Sequence, residues 1–437
     1  MNAEVRAMKT EAEKALAAAY EAARVRLPGK GALSALRADA FHLFENQGLP
    51  HRRVEDWKYT DLRALMREAY PLAALPDAAA KAKAKGAGAL FSGLDARRLV
   101  FIDGAFVPEM SDLTSEPGLT IGSMADALAK GGALVTEHVG KTFENDDVAV
   151  ALNTALMGDG AVIRIAKGSA IKRPIHLVFA PGSDKPSSVF VRSLIVVEDG
   201  ARAVIIEDHD SGPAQVNATL ELIVGDKADV SYVRATRAKA LHVASLLAKV
   251  GADVTFNTFA FASDVNVLRN QNFIRFAGER TKAGIRGVSL LRGKDHADTT
   301  LLIEHAKGHC ESRELFKSVL DEQGHSVFQG KIVVKPHAQK TDAKMMTRAL
   351  LLSDEAEADN KPELEIFADD VVCGHGATTS APDKSLKFYL MSRGIPETEA
   401  EALLVQAFVD EVIDGIADEG IRKALMFAAL RWLGTHA

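Results

Sequence analysis

A cysteine and a histidine late in the chain are the residues whose types and spacing best suit metal or sulfur chemistry. Cys373 and His375 are separated by one residue, and in an extended strand positions two apart project from the same face. A thiolate and an imidazole could then reach one metal ion or one sulfur species. Two ligands are too few to hold a cluster. The spacing therefore predicts a site completed by a partner's ligands; the alternative is a buried Cys373 beside a hydrogen-bonded His375.

A second group of candidate ligands lies upstream, at His305, His309 and Cys310. If residues 299–304 form a strand, residues 306–308 form its turn. In extended geometry His305 and His309 would then lie roughly 13 Å apart, too far to share one metal ion. We therefore expect a solvated turn here rather than a metal site.

Two further patterns are similar to enzyme motifs without meeting their requirements. Residues 135–142 end in Gly140-Lys141-Thr142, as a phosphate-binding loop does, but Val135 stands where that motif needs glycine. Nucleotide hydrolysis is therefore expected in a partner. The acidic residues within 354–370 are of the type that carbohydrate-cleaving β-helix enzymes use. A hydrolase or lyase is thus the competing hypothesis, and solvated turns are the simpler interpretation.

The composition is that of an ordinary folded protein, with 437 residues, 47% hydrophobic and 26% charged. A net charge of -6 gives no electrostatic reason to bind nucleic acid or an anionic membrane. Two cysteines exclude a four-cysteine metal site within the chain and fit a reducing compartment. No apolar stretch reaches the ~18 residues of a spanning helix. The amphipathic start also differs from a signal peptide, so we expect a cytoplasmic protein.

The hydrophobic pattern divides the chain into three regions. Residues 1–90 show helical periodicity, broken at Pro28 and Gly29, and end in an Ala- and Lys-rich linker. Residues 91–380 are rich in strands, most strongly from about 161, with turns at intervals of roughly 24 to 27 residues. Residues 381–437 are helical again; Asp383 is the expected N-cap of a helix over 384–392, and Gly394 its C-cap.

The long central region predicts a fold built from strands alone. No recurring helix separates the strands between residues 161 and 377, which argues against a doubly wound α/β sheet and leaves a β-helix or a large sandwich. The coils of a β-helix stack into one continuous core, and its two ends must be capped. Helical segments at both ends of the chain fit that need.

Residues 330–400 carry a dense series of motifs, which in order are GKI, AQKTDA, LLLS, KPELEI, DDVVCGHGAT and FYLMSRGIP. Weaker matches are EDWKYTDL at residues 55–62 and ALNTAL at residues 151–156. In these motifs the chain resembles the SufB/SufD family over nearly its whole length. The short chain, the EDWKYTD segment and the Cys-x-His of residues 373–375 favour the SufD branch. Gly374 departs from the serine or other small residue that is common there.

The resemblance implies a mainly β protein with a right-handed parallel β-helix core and helical N-terminal and C-terminal domains. It implies a non-enzymatic scaffold of iron–sulfur cluster assembly, which pairs with SufB through the β-helix end and binds the ATPase SufC through the C-terminal helices. His375, with Cys373 beside it, would contribute to a transient iron–sulfur cluster at the SufB interface, and would hold metal only together with partner ligands. No cofactor is expected in the isolated chain. A flavin in the complex and a homodimer of the isolated chain stay open as alternatives.

The helix predicted over 384–392 offers a surface for the ATPase. Its aromatic and basic side chains, with the arginine that follows it, are Phe388, Tyr389, Leu390 and Arg393. Such a set suits partner docking, and the alternative is packing against the β-helix end. A further hypothesis, a SufB-like subunit that carries the cluster itself, predicts cluster binding without a partner.

Overall fold

The computed structural model describes residues 8–434, and most of them wind into a parallel β-solenoid of about eight coils. Each coil contributes one strand to each of two sheets. The predicted β-helix is therefore confirmed against the sandwich alternative. The start of the predicted opening helix, residues 1–7, lies outside the described residues.

The strands, in chain order, are β1 (Arg97–Ile102), β2 (Ala105–Phe106), β3 (Leu119–Ser123), β4 (Ala161–Ile165), β5 (Ile175–Ala180), β6 (Ser187–Val197), β7 (Arg202–Ser211), β8 (Ala214–Val224), β9 (Asp229–Ala238), β10 (Leu241–Val250), β11 (Thr255–Ser263), β12 (Val267–Phe276), β13 (Lys282–Leu291), β14 (His296–His305), β15 (Glu311–Leu320), β16 (His325–Val334), β17 (Asp342–Leu351), β18 (Glu357–Ile366) and β19 (Val372–Ser380). Sheet A contains β3 and the even-numbered strands from β4 to β18. Sheet B contains β1, β2 and the odd-numbered strands from β5 to β19. Pairing is parallel except between β1 and β2 and between β3 and β4.

The period of the coils follows from repeated turns. Successive strands of sheet A begin about 27 residues apart in the first coils and about 30 residues apart in the last. The predicted spacing is therefore confirmed for the first coils, and in the last coils it is smaller than the observed spacing. In six successive coils, from β6 to β17, the turn from sheet A to sheet B places one residue in the left-handed region. These residues are Gly200, Lys227, Asp253, Arg280, His309 and Lys340.

The lumen of the solenoid is an apolar core into which alternate residues of both sheets project. A buried polar group interrupts it where Glu207 accepts hydrogen bonds from the Tyr232 hydroxyl and from Arg234 Nε. The guanidinium lies beside the carboxylate at 2.9 Å and lowers the pKa of Glu207 to about 2, against the raising effect of burial. The charges inside the lumen are therefore paired.

The N-terminal region covers the outer face of sheet A, except that Ala80 and Ala84 pack on β1 and β5 of sheet B. Its helices are α1 (Glu11–Ala23), α2 (Ala32–Gln47), α3 (Leu62–Leu65), α4 (Ala78–Lys83), α5 (Met124–Lys130), α6 (Ala133–His138) and α7 (Val148–Leu156). Beneath α7, the fully buried Arg192 pairs with Glu221 at 2.7 Å and donates to Asn153 and Thr154. Trp57, also buried, packs under the guanidinium of Arg269. These contacts fix the N-terminal region to the solenoid.

The described part of the C-terminal region has three helices, of which the second and third cover the outer face of sheet B. They are α8 (Lys384–Ser392), α9 (Glu397–Ile413) and α10 (Glu419–Trp432). Val405 and Val409 of α9 and Leu425 of α10 are buried against Phe259 and Val288 of the sheet. The expectation that terminal helices cap both solenoid ends is therefore wrong for the C-terminal end. The outer face of sheet B carries apolar side chains such as Phe259 and Val288, and α9 and α10 cover them.

Candidate functional site

The last coil leaves the edge of β19 without a neighbouring strand in the described part of the chain. On its other side, Val372 N–H donates to Thr341 O at 2.8 Å. Because alternate residues of a parallel strand bond to opposite neighbours, the backbone N–H and C=O groups of Cys373, His375 and Ala377 face the open edge. An unpaired row of this kind is a template for pairing with another strand.

The neighbouring edge of β18 is less suited to pairing. Glu357 N–H donates to Gly324 O of the preceding turn, so the same alternation turns Pro362 toward the open side of β18. Proline has no N–H to offer there, and the strand carries charged residues along its outer face. Between Val372 and Ser380, β19 contains no proline and no Asp, Glu, Lys or Arg. β19 is therefore the edge that another strand can join.

Cys373 and His375 both project from the inner face of β19. Cys373 lies beside the buried Ala343, and His375 beside the buried Met345, in the register with β17. The prediction that both residues share one face is confirmed. Cys373 is half-buried and packs on the lumen core, whereas His375 is exposed and its ring bonds to none of the described residues. The alternative of a hydrogen-bonded structural His375 is therefore wrong.

Cys373 is a thiol rather than a thiolate in this environment. Burial raises its pKa, and the carboxyl groups of Asp342 and Glu314 raise it further. Because the thiolate is the form that binds metal, Cys373 and His375 do not make a ready metal centre. Within residues 8–434 no three His, Cys, Asp or Glu side chains are arranged to hold a metal ion. Groups from outside the chain would have to complete such a site.

A buried carboxyl lies deeper in the same row of the lumen. Glu314 is in register with Met345, which is in register with His375. Both of its carboxyl oxygens are buried and unpartnered, and burial raises its pKa to about 8. Sequence reasoning missed this residue, although the two-residue period of a strand places Glu314 on the same face of β15 as Ser312 and Phe316.

Two of the upstream candidates, His305 and Cys310, are core residues, His309 lies exposed in the turn as predicted, and the three form no metal site. His305 ends β14 inside the solenoid, where its Nε2 lies 3.0 Å from Ser312 Oγ and its ring meets the ring of Phe276. Burial lowers its pKa to about 3. Cys310 is buried as well. The predicted turn exists between them, but placing His305 and Cys310 in a solvated turn was wrong because both side chains point into the lumen.

The segment that is similar to a phosphate-binding loop is engaged by a carboxylate of its own chain. Gly140 N–H and the Thr142 hydroxyl donate to Glu221 at 2.9 and 2.6 Å. These are the donors that such a loop would turn to a phosphate. Because Glu221 already occupies them, the interpretation of this segment as a false match holds.

Several acidic residues of 354–370 each face a basic side chain. Glu365 pairs with Lys331 at 2.5 Å and Asp359 faces His325 at 2.9 Å, while Asp370 pairs with Lys340. Residues 357–366 form β18, so the expectation of turns is wrong for this part. Carboxylates that are each bound to a cation do not form the acid–base pair of a glycosidase.

Helix α8 presents the predicted docking side chains to solvent. Asp383 caps it by accepting from Ser385 N and Leu386 N, as predicted. None of its residues is buried; Phe388 is 73% exposed and Tyr389 54%. The Arg393 guanidinium lies 5.1 Å from the centre of the Tyr389 ring. The alternative of packing against the solenoid end is therefore wrong, and the helix carries an apolar patch with a cation beside it.

No helix among residues 8–434 has the length and apolar content that crossing a bilayer requires. The fold and the site together define a β-solenoid with helical layers on its outer faces and, within the described residues, a terminal strand with an unpaired edge.

Comparison with known proteins identifies the family. Residues 179–408 match the SufBD core domain of the SUF iron–sulfur cluster assembly system, and residues 10–177 match the SufBD N-terminal region. The chain belongs to the SufB/SufD family of iron–sulfur cluster assembly proteins.

Relatives align over most of the chain. An iron–sulfur cluster assembly SufBD family protein of Synechocystis is 32% identical, covering 93% of each chain. The iron–sulfur cluster assembly protein SufD of Escherichia coli is 30% identical over 87% of this chain and 88% of its own. SufD of Bacillus subtilis is 27% identical over 90% and 92%. The resemblance found in the motifs is thereby confirmed.

Proposed function

We propose that this chain is a SufD-type scaffold subunit that pairs with SufB and binds the ATPase SufC in the cytoplasm. The observation that carries the proposal is the open edge of β19. On this strand His375 is exposed and Cys373 is half-buried, and both lie beside unpaired backbone groups. A second strand on this edge would bring a partner's ligands next to both side chains. The names of the relatives support this assignment.

The iron–sulfur cluster is cargo in this proposal, and the chain has no catalytic role. His375 would donate its imidazole to iron only when partner ligands are present, because one imidazole and one thiol cannot hold a cluster. Cys373 would have to lose its proton to become a ligand, and a nearby cation would offset the burial that raises its pKa. ATP hydrolysis belongs to SufC.

We assign the ATPase contact to α8 because its apolar side chains have no cover within the described residues. Tyr389 and Arg393 are of the types that dominate binding energy at interfaces, and the side chain of Phe388 adds the most exposed apolar surface of the three. Removing the chain after Arg393 would be a poor test, since the loss of α9 and α10 would uncover sheet B. Point changes in α8 avoid that problem.

Phe388→Glu should weaken co-purification of the chain with SufC by about tenfold or more, because a charge replaces an exposed aromatic contact. Binding to SufB should stay unchanged. Phe427→Glu is the matched control, since Phe427 is 51% exposed on α10, away from α8. Pull-down of tagged chain from cells that express all three proteins gives the measurement. Equal loss of SufC in both variants would contradict the assignment, and a wild-type chain that binds neither protein would end the scaffold proposal.

A further inference from the structure

A chain of five side chains joins the N-terminal segment to the edge strand β18 across the outer face of sheet A. The Thr60 hydroxyl lies 2.5 Å from Asp298 Oδ2 and 2.9 Å from His296 Nε2. His296 Nδ1 faces His325 Nδ1 at 3.1 Å, and His325 Nε2 faces Asp359 at 2.9 Å. Thr60 and Asp298 are buried, while Asp359 lies at the surface. We call these five residues the relay.

The protons of the relay can be placed by counting donors. Asp298, as a carboxylate, can only accept, so the single hydroxyl proton of Thr60 is used on it. Thr60 must therefore accept from His296, which puts a proton on His296 Nε2. Burial, followed by the neighbouring His325, lowers the pKa of His296 to about 4. His296 is therefore neutral at physiological pH, and its Nδ1 is bare.

The unprotonated Nδ1 of His296 determines where His325 carries its protons. It can only accept, so His325 must donate from its own Nδ1. On the other side, the Asp359 carboxylate also accepts only, so His325 must donate from Nε2 as well. We infer that His325 is held as an imidazolium. Its second proton makes the hydrogen bond to Asp359 that joins strand β18 to the N-terminal segment, and we call this bond the clasp.

The surrounding charges agree with this count. Arg269 binds Asp298 and neutralises it, which leaves Asp359 as the counter-charge for His325. Other charged groups near the rings and the N-terminal segment include Glu55, Asp56, Lys331, Glu357 and Lys361. Lys361 of β18 pairs with Glu55 at 2.5 Å, a second link between the same two elements. The clasp thus lies within a paired charge network on the surface of the solenoid.

Loss of one proton would break one of the two bonds of His325. The Thr60 end is held independently, because Trp57 is buried, packs under Arg269 and donates to Asp147 at 3.0 Å. The bond to Asp359 is therefore the one released, and β18 pairs with β16 alone. The clasp is closed while His325 is doubly protonated and opens as the pH rises. This inference does not depend on the proposed partners.

Long-range nitrogen–proton spectra of the full chain labelled with nitrogen-15 histidine test the proton count directly. Across a pH series we expect His325 to carry two ring protons while the clasp is closed and one once it has opened. His296 should stay neutral with its proton on Nε2 throughout. Signals are assigned with His296→Gln and His325→Gln variants. A singly protonated His325 over the whole range would overturn the inference, as would a proton on Nδ1 of His296.

Hydrogen exchange of β18, corrected for the intrinsic pH dependence of exchange, tests the clasp. Protection of residues 357–366 should fall severalfold as His325 loses its second proton. In Asp359→Asn the amide can also donate to a bare Nε2, so this pH dependence should disappear. Glu363→Gln is the matched control, since Glu363 lies on the same face with a similar exposure, 43% against 42%. Equal pH dependence in wild type and Asp359→Asn would contradict the clasp.

Discussion

Glu314→Gln should raise the free energy of unfolding by roughly 3–5 kcal/mol at pH 8 and leave it nearly unchanged at pH 4. The buried carboxyl has a pKa of about 8 in the folded chain, against an ordinary value of 4.5. Above 4.5 the unfolded chain ionises Glu314 while the folded chain keeps it protonated, so stability is lost as the pH rises to about 8. Glutamine cannot ionise and avoids this loss.

Thermal and urea unfolding of both proteins at several pH values between about 4 and 9 would give the stability difference. Glu311→Gln is the control on the same strand, because Glu311 is 43% exposed and pairs with Arg313 at the surface. Its effect should stay within about 0.5 kcal/mol. A Glu314→Gln difference that does not change with pH would show that the carboxyl is ionised in the folded chain.

Ala377→Pro should weaken association with SufB by about tenfold or more without unfolding the solenoid. The Ala377 N–H faces the open edge, so proline removes a donor that an added strand would use and spares the bonds to β17. The preceding residue is Gly376, which lacks the Cβ that would clash with the ring of proline. The folded chain can therefore accept this change.

Ala377→Val is the matched control, since valine adds a side chain of similar size and keeps the N–H. Its affinity for SufB should equal that of the wild type, measured by titration of the purified proteins. Both variants should unfold at temperatures close to the wild type. If the proline variant binds as tightly as the valine variant, pairing does not use the β19 edge.

Much of the solenoid could be predicted because its signals are local. The turn residues recur once per coil, and the caps at Asp383 and Gly394 depend on neighbouring residues only. The shared face of Cys373 and His375 follows from the two-residue period of a strand. The family motifs then distinguished a β-helix from a sandwich, which periodicity alone had left open.

The contacts between distant segments could not be predicted. Whether His305 lies in a turn or in the lumen depends on where β14 ends, and the strand ends one residue later than the sequence pattern suggested. The relay joins Thr60 to residues more than two hundred positions away. The position of α9 and α10 on the side of the solenoid likewise depends on the outward-facing apolar residues of sheet B, which these helices cover.

The most direct test of the central claim is the iron and acid-labile sulfide content of the complex formed with SufB and SufC. We predict that His375→Ala assembles with unchanged stoichiometry and holds at least about tenfold less of both. His337→Ala, which changes an exposed histidine in the turn after β16, should match the wild type. A His375→Ala complex with a full complement of iron and sulfide would contradict the assignment of the cluster site to the open end of the solenoid.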